Sequence, residues 1–241
     1  MIDELILITK HFPFNPLATP GESFLCNEIK VLSEHAKRIW IMSTEAVHTE
    51  TPKVNLPENV HAYAVSAFGT KADKLVCMAE GLTCAVHAPA FVREERAHKP
   101  LKARAYLYYF YMRGRQKYRR IRRTLEGKTL GKNILIYSYW FYDHAYAAAA
   151  LKRQLASAHD VCCFSRAHRY DLYEYIHRFS GGLEYIPLRR WLLENLDEVR
   201  PCSDYGTNYL KSCYPQYGQK IRTAYIGTQD HGLNPAYRGE A

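Results

Sequence analysis

The feature that most constrains this chain is its alternation of short apolar runs with stretches of helical length. Glu4–Thr9 (ELILIT), Arg38–Met42 (RIWIM), Asn133–Tyr139 (NILIYSY) and Asp160–Ser165 (DVCCFS) are strand-length, and Val60–Val65 alternates apolar with polar residues. Between them, 22–34 places Phe24, Leu25, Ile29 and Leu32 on one helical face, and 143–155, 170–177 and 188–196 carry helical patterns. A later strand is read at Glu198–Cys202, then a helix capped by Ser203 and running to Cys213, then a last strand at Ile221–Ile226. This alternation predicts an α/β fold: a single Rossmann-like domain with a mostly parallel sheet covered by helices on both faces. In such sheets ligands sit at the C-terminal ends of the strands, where the strand order reverses.

The 241 residues, 47% of them hydrophobic, are enough for one sizeable core. The N-terminal Met-Ile-Asp-Glu has no basic region before its apolar run, so no signal peptide is expected. No apolar stretch approaches the roughly 18 residues of a membrane span. The seven cysteines are odd in number and form no Cys-x-x-Cys pair, which predicts reduced, mostly buried thiols in a cytoplasmic protein, with Cys162 and Cys163 packed in an apolar run. No histidines cluster at ligand spacing and no Asp-x-Asp motif occurs, so neither a metal nor a cofactor is expected. The dinucleotide pattern G-x-G-x-x-G is also missing.

Two stretches carry candidate chemistry. The turn after the first strand ends Thr19-Pro-Gly21-Glu22, where a glycine before a helix lets backbone approach an anion and Glu22 suits the helix dipole; a plain strand–helix turn would look the same. The second is Ser165-Arg166-Ala-His168-Arg-Tyr-Asp171, directly after the fifth strand. His168 could accept a proton or bond a sugar hydroxyl, or be only a structural hydrogen-bonder. Arg166 could face a phosphate, and Asp171 could orient the imidazole or cap the next helix.

Further on, Ile186-Pro-Leu-Arg-Arg190 precedes Asp197-Glu-Val-Arg-Pro-Cys-Ser203-Asp-Tyr205-Gly206, then Tyr214-Pro and Lys220-Ile, ending at Ile226-Gly227. In this order the chain resembles the N-terminal domain of family 4 retaining glycosyltransferases of the two-Rossmann GT-B fold, across roughly residues 4 to 235. The resemblance implies that Gly21 and Glu22 line an inter-domain cleft near the donor phosphates. It puts His168 where a cleft histidine meets the transferred sugar, supported by Arg166 and Asp171, with Ser203, Tyr205 and Gly206 shaping the cleft floor. The nucleotide sugar would be a substrate, and the acceptor a glycan or lipid-linked sugar. Where many relatives carry a His pair after the fourth strand, this chain has Ser138-Tyr139-Trp140, whose rings could stack on an acceptor. In that family a C-terminal domain grips the donor. Residues 1–226 match the first domain and 227–241 have linker length, so little or no transferase activity is expected of this chain alone. A non-catalytic module binding acceptor, membrane or partner is the alternative.

The charge needs its own explanation. Of a net +9, the segment 91–132 carries 14 Lys/Arg against three Glu, and the remainder is slightly acidic. Within it Gly114 could break a helix in two. Arg113, Arg115, Lys117, Arg119, Arg120, Arg122 and Arg123 follow several tyrosines closely, as a solvated helix or as a patch docking on the anionic inner face of a membrane. Nucleic-acid binding is disfavoured, since no recognised motif accompanies the charge.

Overall fold

The computed structural model describes residues 2–47, 49–66, 75, 79–80, 83, 87–179 and 182–227. Six strands form one all-parallel sheet: β1 (Ile2–Thr9), β2 (Ala36–Ser43), β3 (Val60–Ala64), β4 (Asn133–Ser138), β5 (Asp160–Ala167) and β6 (Glu198–Pro201), in the order β3-β2-β1-β4-β5-β6. The order reverses between β1 and β4, so the loops after these two strands part in opposite directions at the same edge.

The strands are apolar because both faces are covered. Leu5 and Leu7 of β1 point to one side, onto α1 (Leu25–His35), with Ile39, Ile41 and Tyr137. Ile6 and Ile8 point to the other, with Met42 and Ile136. That second face is covered by α2 (Ala90–Ala97), α3 (Leu101–Leu125), α4 (Asp143–Leu155) and α6 (Arg189–Asn195). The buried alanines 145 and 147–149 let α4 lie close to the sheet and to α3.

Several sequence expectations change here. Gly114 does not break its helix: α3 runs unbroken for 25 residues, and Gly114 is where the Tyr146 ring of α4 packs against it. The helix read at 170–177 is one short turn, α5 (Arg169–Leu172), followed by a 3₁₀ turn (Glu174–Ile176). The helix of 204–213 is α7 (Asp204–Cys213), with Ser203 accepting from the Gly206 N–H as its cap. Ile221–Ile226 lies beside β6 but forms only an isolated bridge, Ile221 with Val199. Arg222 N donates to Val199 O and Ala224 N to Pro201 O, but residue 201 is proline and has no N–H to return the bond between them. Of the adjacent cysteines, Cys163 is buried as expected but Cys162 is exposed, because neighbouring strand residues point to opposite sides. Cys77, Cys84 and the tail at 228–241 lie outside the described residues.

A β-carbon on Gly114 would stand 2.6 Å from the Tyr146 ring. Gly114→Val should therefore lower unfolding free energy by about 1–3 kcal/mol in urea titration, the usual cost of overpacking.

Candidate functional site

The carboxyl edge at the β1/β4 reversal gathers most of the residues singled out by sequence. Gly21, in the left-handed region at φ 95°, turns the chain into a 3₁₀ turn (Glu22–Phe24) that leads into α1. Glu22 is fully buried. Its Oε1 accepts from Lys10 N (2.7 Å) and Trp140 Nε1 (2.8 Å), and its Oε2 from His11 N (2.8 Å) and Phe12 N (2.9 Å). Four donors fill what an ionised carboxylate can accept. Glu22 is therefore the brace of the β1 loop and does not present its carboxylate to a ligand, which corrects the expectation that it lines the cleft.

Tyr139 and Trp140 are corrected in the same way. Tyr139 is fully buried and donates to Gly21 O (2.7 Å), while the Trp140 ring is covered by the Lys10 ammonium at 4.1 Å. Neither ring is open for an acceptor sugar to stack on. His168 packs between them, with ring centroids 4.7 and 4.8 Å away. Its Nε2 meets the Tyr139 carbonyl at 3.1 Å, so that nitrogen carries the proton. The reciprocal capping box with Asp171 at the start of α5 occupies the other face of the residue. Burial, then Arg166, pushes the imidazole down to about 4, so it is neutral at pH 7. His168 is a structural hydrogen-bonder in this arrangement, and its ring nitrogens are not poised as a proton acceptor.

Asp171 is fully buried and accepts from Phe141 N (2.7 Å) and His168 N. Burial raises it, against those N–H groups and Arg189, up to about 7. Arg166 spends its donors on protein: Nε on Tyr137 Oη (2.7 Å), Nη2 on Glu28 (2.9 Å) and Nη1 on Ala224 O (3.2 Å). One strand over, Ser203 caps α7, Gly206 is pressed under Leu172, and Tyr205 stands 70% exposed with its ring against Tyr173. The structure thus unites Gly21, Glu22, Tyr139, Trp140, His168 and Asp171, and sets Ser203, Tyr205 and Gly206 beside them.

The basic helix holds the largest surprise. Lys117, expected on a membrane surface, is 1% exposed. Its ammonium donates to Asp143 Oδ1 (2.8 Å) and to His144 Nε2 (2.9 Å). His144 Nδ1 lies 2.9 Å from the same Asp143 oxygen, so Nδ1 carries the proton and Nε2 accepts. Arg113, also expected at the membrane, joins Asp143 (2.8 Å) to Glu45 (2.6 Å). Burial pulls Lys117 down to about 8 despite Asp143. Burial would raise Glu45, but Lys117, His144 and Arg113 outweigh it and hold the carboxyl at about 2. Burial, then Lys117, lowers His144 to about 4. Arg119 pairs with Glu80 and Arg122 with Glu126, and of the seven basic residues only Arg122 and Arg123 are exposed.

This network adjoins the Glu22 cluster through one residue. His11 gives its backbone N–H to Glu22 and sets its Nε2 3.7 Å from Glu45 Oε2. Lys10, His11 and Glu45 are half-buried and form the accessible lip of the edge. Sequence reading missed all three, although Lys10 and His11 directly follow β1 at the predicted strand end. Among the described residues no three His, Cys, Asp or Glu side chains are placed to hold a metal ion, and no helix is long and apolar enough to cross a membrane.

No protein-family model and no curated protein sequence matches this chain. Among solved structures, it is similar to UDP-N-acetylglucosamine 2-epimerase from Rickettsia bellii, with TM-score 0.43, 11% identity, and 94% of this chain and 45% of that one covered. It is also similar to the catalytic domain of starch synthase IV from Arabidopsis thaliana bound to ADP and acarbose, with TM-score 0.49, 12% identity, and 98% and 54% covered. The chain spans about half the length of each. Identity this low transfers no residue role.

Between pH 6.5 and 4 the unfolded chain binds a proton at His144 and at His168 that the folded chain refuses, so stability falls as pH drops. Asp171, protonated up to about 7 when folded, acts oppositely in the same window. His144→Gln removes one histidine contribution. The slope of unfolding free energy against pH should then fall by about 1.4 kcal/mol per pH unit, measured by urea titration across that range.

Proposed function

We propose that this chain is the N-terminal, acceptor-side domain of a GT-B glycosyltransferase of the family 4, retaining type. It would act with a donor-binding domain on a nucleotide sugar and a glycan or lipid-linked acceptor. The observation that carries the reading is spatial. Gly21-Glu22 and Ser165–Asp171, some 145 residues apart, are locked together through Tyr139 and Trp140 at the point where an all-parallel sheet reverses its order. The buried residues there build a rigid wall. The groups left at the lip, Lys10 and His11, suit a donor phosphate, with the Lys10 ammonium a cation of the kind that stabilises a departing phosphate. In this reading the nucleotide sugar is a substrate, and no resident cofactor is invoked.

Labelled nucleotide sugars should show no turnover with the 241-residue chain. Nucleotide sugars should instead shift backbone amide NMR signals around Lys10, His11, Gly21 and Glu45, and Lys10→Glu should weaken that binding about tenfold, or ~1.4 kcal/mol. Ordinary turnover by this chain, or shifts confined to other surfaces, would remove the reading.

A second reading, contact with an anionic membrane, is supported by the outer side of α3, where Lys102, Arg104, Tyr109, Arg122 and Arg123 are exposed. Flotation with vesicles containing phosphatidylserine should be lost in the Arg122→Glu/Arg123→Glu double variant. Flotation indifferent to lipid charge would exclude it.

A further inference from the structure

A groove of about 500 Å³ lies between α1 and the segment 222–227, beside the end of β5, in the size range of small-molecule sites. Its apolar surface comes from Val31 and Tyr225, which are 56% and 67% exposed. The Tyr225 hydroxyl donates to Asp204 at the start of α7, which restrains the ring while the residue stays largely open.

The polar groups of the groove are unequally committed. Buried Arg166 and half-buried Glu28 line it as an ion pair at 2.9 Å, and their charges cancel. Arg166 and the Tyr137 hydroxyl both donate to Glu28 Oε1, at 2.9 and 3.0 Å, which leaves Oε2 without a partner. Among the described residues, the Asn27 side-chain amide makes no hydrogen bond and Lys30 makes no ion pair. The buried side-chain atoms that lack a partner lie elsewhere, on Gln116 and Arg189, so none of these groups is sealed from solvent. A ligand in the groove can therefore reach Asn27 Oδ1 and Nδ2, Glu28 Oε2 and Lys30 Nζ.

We propose that this groove binds a nucleoside monophosphate. The one uncompensated charge, on Lys30, calls for an anion. Tyr225 and Val31 call for an apolar or flat body, and a tyrosine ring stacks on any base, since each has a π-face. Asn27 asks for both a donor and an acceptor, and Glu28 Oε2 asks for a donor. A nucleoside monophosphate brings these together: a phosphate, a base with donors and acceptors on its edge, and ribose hydroxyls. Inorganic phosphate would answer Lys30 alone. An aryl carboxylate would answer Lys30 and Tyr225 but has no proton to give Glu28 Oε2 or Asn27 Oδ1. A neutral sugar would leave Lys30 unmatched. A ligand seated here touches both α1 and the segment 222–227, and so ties one to the other. The inference goes beyond the transferase reading, which puts a donor phosphate at Lys10 and His11 and asks nothing of this groove.

Backbone amide NMR titration of the full chain tests it, with UMP, CMP, AMP and GMP as probes. Ribose 5-phosphate, which lacks a base, and uridine and adenosine, which lack a phosphate, are the controls. At least one nucleotide should bind saturably, shift the signals of Asn27, Val31, Tyr225 and Gly227, and bind about fivefold or more tighter than every control. Lys30→Glu and Tyr225→Leu, both at exposed positions, should each weaken that binding about fivefold or more, with circular dichroism melts confirming the fold. Should Tyr225→Leu unfold, Lys30→Glu decides. No saturable binding by any of the nucleotides, equal binding of ribose 5-phosphate, shifts that leave these four residues untouched, or binding unchanged by Lys30→Glu would overturn the proposal. Nucleotide-sugar shifts at Lys10 and His11 are read separately, so the two ideas fail independently.

Discussion

A parallel sheet whose order reverses leaves a gap at its carboxyl edge, and the backbone groups that end there have no strand to pair with. The rest of this structure is arranged around meeting that demand. Glu22 takes three backbone N–H groups of the β1 loop, and Asp171 takes two from the loops after β4 and β5. Arg189 answers one carbonyl of the loop after β4, at Phe141, and one of α5, at Asp171. Each buried charge is held by several hydrogen bonds, the condition under which burying one is tolerable. The edge is consequently built before any ligand arrives, and little of it has to move.

The same logic explains where the positive charge of segment 91–132 goes. Part of it faces inward, to neutralise Asp143 and Glu45 where α4 begins and β2 ends. Removing Lys117 would leave a fully buried carboxylate beside one remaining arginine. The helix is thus a clamp between the sheet's second face and its carboxyl edge, and its outer side is left for other uses.

The strands were legible because burial on both faces leaves an unmistakable apolar run, and the location of the site was legible because Gly21-Glu22 and His168 follow strand ends. Their roles were not. Whether Glu22 or His168 serves a ligand or the fold depends on partners more than a hundred residues away, such as Trp140 for Glu22. The inward turn of Lys117 did leave a trace: Phe110, Gly114, Lys117, Ile121 and Leu125 are spaced by three and four, and all are buried. Reading charge as surface overrode that period. The last strand misled for a smaller reason, a single proline in its neighbour.

That proline has a mechanical consequence. Residues 222–227 run beside β6 on two backbone bonds, helped by Arg166 at Ala224 O and by Asp204 and Thr207 at Thr223. A pull applied through Gly227 would meet these few attachments first and peel the segment away as a strip. The six-stranded sheet behind it would keep every rung of its ladder, so tension on this end spends itself outside the core.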